Sequence, residues 1–323
     1  MKFISRILRK LILKLFAKLY KKIDSNLLLS GKNLSNLNSK KVEIKDFSEV
    51  EFSVYSQWGE DGIINWLLDK LEDLPETFIE FGVENYIESN TRYLLHTRNW
   101  SGLVIDGDKS NIEDIKKSSA YWKYDLSAVE AFITKKNINT ILQENNFKDE
   151  VGLLSIDIDG NDYWIWNEIS CIKPILVVAE YNAVFGDKHF LTVPYDPDFV
   201  RGKKHYSNLF FGASINALIS LAKEKGYELI GTNTNGVNAF FVREDRFELI
   251  KKYIHQVSIY PSKFRESRDR NGNLNYLNGP ERLKEIKDCE LVDVKSKSHK
   301  KIKISELNNI YSNNWLKGYK SVI

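Results

Sequence analysis

At 323 residues the chain is long enough to bury one full α/β core and carry extensions, and 42% hydrophobic with 28% charged residues and six prolines is ordinary for a globular protein, so disorder is not the default reading. Cys171 and Cys289 cannot make a disulfide framework or a zinc site between them, which favours a reducing compartment. The net charge of +3 is uneven: residues 1–22 hold eight Lys or Arg and no acid, leaving 39 basic against 44 acidic residues, so the body lacks the basic face that nucleic-acid binding needs. Seven Trp and sixteen Tyr suit a carbohydrate-stacking surface and an aromatic core equally well.

From Met1 to Ile23, apolar pairs recur every four positions (Phe3-Ile4, Ile7-Leu8, Leu11-Ile12, Leu15-Phe16, Leu19-Tyr20) with Lys and Arg between them. This predicts a basic amphipathic helix over 1–24. Arg6, Arg9 and Lys10 interrupt any membrane-spanning run, so the helix is expected to lie on an anionic surface or to pack on protein. Residues 25–49, rich in Asn, Ser and Lys, read as a linker, with the folded domain starting near Val50. Ser56 is the expected N-cap of a helix carrying Ile63, Ile64, Leu67, Leu68 and Leu71, with Gln57 and Glu60 at its start.

FIEFG, residues 78–82, reads as a strand ending on an acid and a glycine, followed by a helix from Ser89-Asn90-Thr91. GLVID then ends a second strand on Asp106. Strand, glycine turn, helix, strand and acid form the first half of a Rossmann-like nucleotide site, in which Asp106 would bond ribose hydroxyls. Gly82 lacks the two further glycines of GxGxxG, which argues against a dinucleotide and for a nucleoside ligand without a pyrophosphate.

Tyr121–Asp125 is expected as a third strand, with helix between Ala128 and Glu144. LLSIDIDGNDY, residues 153–163, is a buried strand delivering Asp157, Asp159 and Asp162 to its C-terminal rim, where open α/β sheets bind ligands. A helix over Asp162–Ile169, a strand over Ile175–Ala179 ending in Glu180-Tyr181-Asn182, a helix over Ala213–Lys225 and strands at Tyr227–Gly231 and Val237–Val242 complete the pattern. The fold class is therefore α/β: a Rossmann-like, seven-stranded, mostly parallel sheet with helices on both faces, over residues 50–258. Residues 183–212 read as a lid insertion and 259–323 as a C-terminal extension.

In order and spacing, YSQWGED, FIEFGVENYIESNT, WSGLVIDG, LLSIDIDGNDYWIW, VVAEYN, VPYDP, FGAS, KGY and NAFFVR resemble the FkbM-like branch of class I S-adenosylmethionine-dependent methyltransferases, over about Tyr55–Arg243. The resemblance implies S-adenosylmethionine as cofactor, with Glu80 and Gly82 in the first cofactor motif, Asp106 on the ribose and Asp125 near the adenine. It also implies Asp157 beside the methyl donor, Ser89, Asn90 and Thr91 as the branch's SNT segment, and Gln57 and Glu60 closing over the cofactor. Asn85-Tyr86 departs from the Asp-Gly of many relatives, which puts Asn85 in doubt as a contact.

Methyl transfer to a hydroxyl needs a held acceptor and a path for its proton. One device is Mg²⁺: Asp157 or Asp159 with Glu180 and Asn182 resembles the ligand set of metal-dependent O-methyltransferases, and adjacent strand ends lie about 5 Å apart. The other is a side-chain base, with His189 or His205 in the lid as candidates beside Asp157 and Asp159. The same strand-end acids could simply cap the next helix. Arg265 and Arg268 could hold an anionic group or sit in a solvated loop. Asp157, Asp159, Asn161 and Glu168 match positions of a calcium loop, but Asp162 stands where its glycine is required, so an EF-hand is rejected. The expectation is a cytoplasmic methyltransferase acting on a sugar or polysaccharide precursor, with membrane-surface contact through residues 1–22. A non-catalytic Rossmann-like binding module in glycan assembly is the alternative.

Overall fold

The computed structural model describes residues 2–295 and 298–320. The first helix, α1, runs Lys2–Ser39, so the chain stays helical over 25–39, the first part of the linker that the sequence predicts over 25–49. The cause is tertiary, since weak helix formers hold where they find partners. Asn38 Nδ2 donates to the Val50 carbonyl at 2.9 Å, and the Ser35 and Tyr93 hydroxyls meet at 2.8 Å. Gly31 lets the helix cross so closely that a Cβ there would fall 2.4 Å from Val54 Cγ2. Ile44 and Phe47 are already buried, so the packed body starts before Val50.

The remaining helices are α2 (Glu60–Lys70), α3 (Arg92–Arg98), α4 (Lys109–Lys117), α5 (Ser119–Lys123), α6 (Ile138–Glu144), α7 (Asp162–Glu168), α8 (Arg201–Lys204), α9 (Ile215–Glu224), α10 (Glu244–Lys251), α11 (Pro280–Glu285) and α12 (Asn313–Lys320). The strands are β1 (Thr77–Phe81), β2 (Ser101–Asp106), β3 (Leu126–Glu130), β4 (Asp149–Ile156), β5 (Ile172–Glu180), β6 (Leu191–Thr192), β7 (Tyr227–Thr232), β8 (Asn238–Arg243), β9 (Glu290–Asp293) and β10 (Lys300–Lys303). Seven of them form the main sheet in the order β3-β2-β1-β4-β5-β8-β7. Strands β1 to β5 pair in parallel, and β8 runs antiparallel to both β5 and β7. The chain winds outward from β1 to β3 and then returns to the other side of β1 with β4, so the direction of winding switches between β1 and β4.

Apolar runs such as VGLLSI and ILVVA suit strands covered on both faces. Ile79, Phe81, Leu154 and Ile156 pack with α6, α7 and α9 on one face, whereas Phe78, Val104, Leu153 and Val178 pack with α2, α3, α4 and α10 on the other. The third strand lies later than predicted: Ser119–Lys123 is helical, and β3 begins at Leu126. Its burial alternates with exposure, as on a sheet edge, so it lacks the continuous apolar run that marks its neighbours. The helix expected from Ala128 is confined to α6. At α2, the N-cap is Gly59 at φ 107° rather than Ser56, whose hydroxyl instead accepts from the Asp61 amide at 3.0 Å.

The insertion at 183–212 and the C-terminal segment fold together. β6 pairs antiparallel with β9, and β9 with β10, giving a second, three-stranded sheet. Phe185, Leu191, Val193 and Phe199 share a core with Ile286, Leu291 and Ile304, which clamps the insertion over the sheet's C-terminal rim. Among the described residues no helix is long and apolar enough to cross a membrane.

Candidate functional site

The strand ends at the winding switch open into a cavity of about 470 Å³, a size suited to a small molecule. Glu80, Gly82, Asp106 and Ala131–Ile133 line one side, and Asp157, Glu180, Arg201, Phe211, Phe264 and Arg282 line the other. Gln57 and Trp58 also reach it, with the Trp58 ring edge-on to Phe264 at 5.7 Å.

At the end of β1, burial pushes the Glu80 carboxyl up, and the turn leading into α3 opposes that with a cradle of donors. Ser89 Oγ (2.6 Å), Thr91 Oγ1 (2.5 Å), and the Asn90 (2.8 Å) and Thr91 (3.1 Å) amides all donate to it. Asn90 Nδ2 donates onward to Ser155 Oγ at 3.1 Å, tying this turn to β4. Gly82 sits at φ 71°, and a Cβ there would lie 1.7 Å from the Asp157 carbonyl oxygen. Its smallness therefore serves the closure of β1 on β4 as well as the cavity wall.

Asp106, at the end of β2, accepts from the Glu84 amide (2.8 Å), the Asp108 amide (2.8 Å) and Asn111 Nδ2 (3.0 Å). A carboxylate offers about four acceptor sites, so one is left for a ligand hydroxyl at the cavity.

Asp157, Asp162 and Glu180 bring carboxylate oxygens within 4.8 Å of one another. Asp162 accepts from the Ile158 and Gly160 amides, both at 2.9 Å, and burial raises it to about 6. It thus folds the loop into α7. Glu180 is buried and its Oε2 has no hydrogen-bond partner. Burial, then neighbouring carboxylates, hold Asp157 and Glu180 well above the usual carboxylate range, with Arg201 opposing.

Several expected site residues turn elsewhere. Asp159, at φ 55°, stays on the cavity wall but turns its carboxylate to an ion pair with Arg201 at 2.6 Å, so it stands outside the cluster of Asp157, Asp162 and Glu180. Asn182 donates to the Leu209 and Phe211 carbonyls, both at 2.9 Å, and accepts from the Val184 amide at 3.0 Å; its polar atoms hold the insertion and not a metal. His189 meets the Asn308 carbonyl at 2.8 Å and His205 the Ser207 hydroxyl at 2.7 Å, and neither lines the cavity. Glu60 accepts from the Trp58 amide, Asn233 Nδ2 and Asn238 Nδ2 at 2.7–2.8 Å, bolting α2 to the β7–β8 turn instead of facing a cofactor. Asp125 precedes β3 and so lies at the opposite end of the sheet from the cavity. Arg265 donates to the Tyr276 carbonyl and Arg268 to Gly272 and Glu266, both off the cavity.

Arg201, Arg282 and Phe264 line the cavity without having been assigned a role, because the insertion and the C-terminal segment carry no strand-rim pattern, and Trp58 joins them from the turn before α2. Glu84, Glu88 and Glu266 add further carboxylates. Together with Glu80, Asp106, Asp157, Asp159 and Glu180 they outnumber the two guanidiniums, giving a net anionic cavity.

No family model matches the sequence, and no curated protein matches it. Among solved structures the chain is similar to the N-terminal domain of EvdMO1 with SAH bound, at 9% identity over 68% of this chain and 94% of that one, with a TM-score of 0.38. It is also similar to an S-adenosylmethionine-dependent methyltransferase from Clostridium acetobutylicum ATCC 824, at 10% identity over 57% and 90%, TM-score 0.37. A third is the O-methyltransferase from Bacillus cereus in complex with SAH, at 10% identity over 67% and 89%, TM-score 0.37.

Proposed function

We propose that the protein is an S-adenosylmethionine-dependent methyltransferase that methylates a hydroxyl of a sugar or polysaccharide precursor. The observation that carries this is the net anionic cavity at the winding switch, with Asp106 at the end of β2. A pyrophosphate would be repelled beside Glu80, Glu84 and Asp106, whereas a nucleoside bearing a sulfonium and an ammonium is attracted. Asp106 would receive ribose hydroxyls through its remaining acceptor site, Glu80 and its donor cradle would face the amino-acid end, and the bound cofactor would supply an electrophilic methyl group. Trp58, Phe199, Phe211 and Phe264 give the acceptor half aromatic faces beside polar groups, which suits a sugar ring.

Asp157 and Glu180 are then the proton-handling pair. Each carboxyl of so close a pair disfavours ionisation of the other, and the ionised member would take the proton of the acceptor hydroxyl. The unpartnered Oε2 of Glu180 also favours a second reading, Mg²⁺ held between Asp157 and Glu180. The test is transfer of labelled methyl groups to a panel of sugars, with and without EDTA. Transfer that survives EDTA and is lost in Glu180→Gln supports the proton-sharing pair, and loss restored by Mg²⁺ supports the metal. S-Adenosylhomocysteine binding with no transfer to any hydroxyl would leave a non-catalytic binding module.

We further propose a cytoplasmic location with α1 on the inner membrane face. Phe16, Leu19, Tyr20 and Ile23 are exposed beside exposed Lys18, Lys21 and Lys22, a pattern suited to an anionic surface.

A further inference from the structure

We propose that Arg282 is an oxyanion receptor, and that the acceptor carries a carboxylate or phosphate group which pairs with it. Arg282, on α11, is 2% exposed, among the most buried large side chains described, and it lines the cavity. An arginine keeps its charge inside a protein, and a buried charge without a counter-ion is strongly disfavoured.

Among the described residues, no carboxylate lies within ion-pair distance of Arg282. Its guanidinium donates to the Phe264 carbonyl at 2.8 Å and the Ser262 carbonyl at 3.2 Å, and its Nε has no partner. The Tyr319 ring lies 5.5 Å away, a contact that tolerates a cation without neutralising it.

Arg201 provides the contrast within the same cavity. It bonds Asp159 at 2.6 Å and approaches Glu266 at 4.0 Å, so its charge is already answered. Arg282 is therefore the lining cation left for a ligand, and Ser262 and Phe264, which hold its head group, line the same wall. A planar guanidinium carries five N–H groups, and with Nε unpartnered while Nη1 and Nη2 each spend one on a carbonyl, its fork matches a carboxylate or a phosphate. In a cavity otherwise lined by acids, that spot sets which end of an acceptor enters on the C-terminal side. The term acceptor rests on the methyltransferase reading, but the oxyanion site does not.

The experiment uses the full chain and three probes, D-glucose, D-glucuronate and glucose 6-phosphate, titrated with S-adenosylhomocysteine present and followed by calorimetry. The expected result is about tenfold or tighter binding of at least one anionic probe over glucose. Which one wins separates a carboxylate acceptor from a phosphorylated one. The preference should vanish in Arg282→Gln and be weakened but retained in Arg282→Lys. Equal binding of the neutral and anionic probes by the unaltered chain overturns the proposal, even if the buried substitutions fail to fold. Persistence of the preference in a folded Arg282→Gln also overturns it. Repeating the titrations without S-adenosylhomocysteine separates the two readings: anion preference without nucleoside binding keeps the receptor and removes the methyltransferase.

Discussion

Asp157 and Glu180, delivered by the adjacent parallel strands β4 and β5, bring carboxyl oxygens within 4.8 Å of each other, and Glu180 Oε2 is left without a hydrogen-bond partner. Each raises the other's proton affinity, on top of the larger effect of burial. A base with raised affinity works only once it is deprotonated, so kcat/KM is expected to rise with pH above the usual carboxylate range. Glu180→Gln should cost about 10²–10⁴ in kcat and flatten that rise. Asp157→Asn removes the neighbouring charge and should move the rising limb to lower pH; a limb that stays in place in both variants would assign it to another group.

Asp61 should make stability fall as pH rises. Its Oδ2 accepts from the Val54 (2.6 Å), Tyr55 (2.7 Å) and Ser56 (2.9 Å) amides, but Oδ1 has no partner, and burial raises the carboxyl to about 7. Below about pH 4 both folded and unfolded chains hold the proton, and the stabilisation is complete. Between about 4 and 7 the folded chain keeps the proton that the unfolded chain has lost, so stability declines, by roughly 4 kcal/mol at most. Urea melts across this window should show a decline that is smaller in Asp61→Asn. Equal slopes for the two proteins would contradict it.

The donor cradle of Glu80 should be a stability element as well as a wall of the site. Thr91→Val removes a 2.5 Å hydroxyl donor from a buried carboxylate and should cost about 1–3 kcal/mol, read as a lower urea midpoint with unchanged m. Ser89→Ala should behave alike, and a neutral outcome in both would mean that water replaces the lost donors.

α1 should divide into two functions. Deleting residues 1–22 should release the chain from anionic liposomes while the thermal midpoint stays within a few degrees. Deleting residues 1–39 should destabilise it, because Ser35 and Asn38 then leave Tyr93 and Val50 and the Gly31 crossing is lost. Liposome binding that survives the shorter deletion would move the membrane contact elsewhere.

Much of the frame was legible in the residues. Strands covered on both faces announce themselves as apolar runs, and their terminal acids mark the rim, so Glu80, Asp106, Asp157 and Glu180 all line the cavity. Side-chain direction was not legible. Asp159 lies two residues beyond Asp157, yet a left-handed backbone turns it to Arg201, and Asn182 and Glu60 spend their polar atoms inside the protein. Asp125 failed through a strand boundary, since an edge strand with alternating burial gives a weak signal. Arg282 could not be found at all, because only the folding of the C-terminal segment onto the insertion brings it to the cavity.

The most direct measurement is calorimetric titration of the full chain with S-adenosylhomocysteine. A nucleoside site built on Asp106 predicts one molecule bound per chain, with affinity falling about tenfold or more in Asp106→Ala and no competition from NAD. An absence of binding at any temperature tested, or an affinity unchanged in Asp106→Ala, would contradict it.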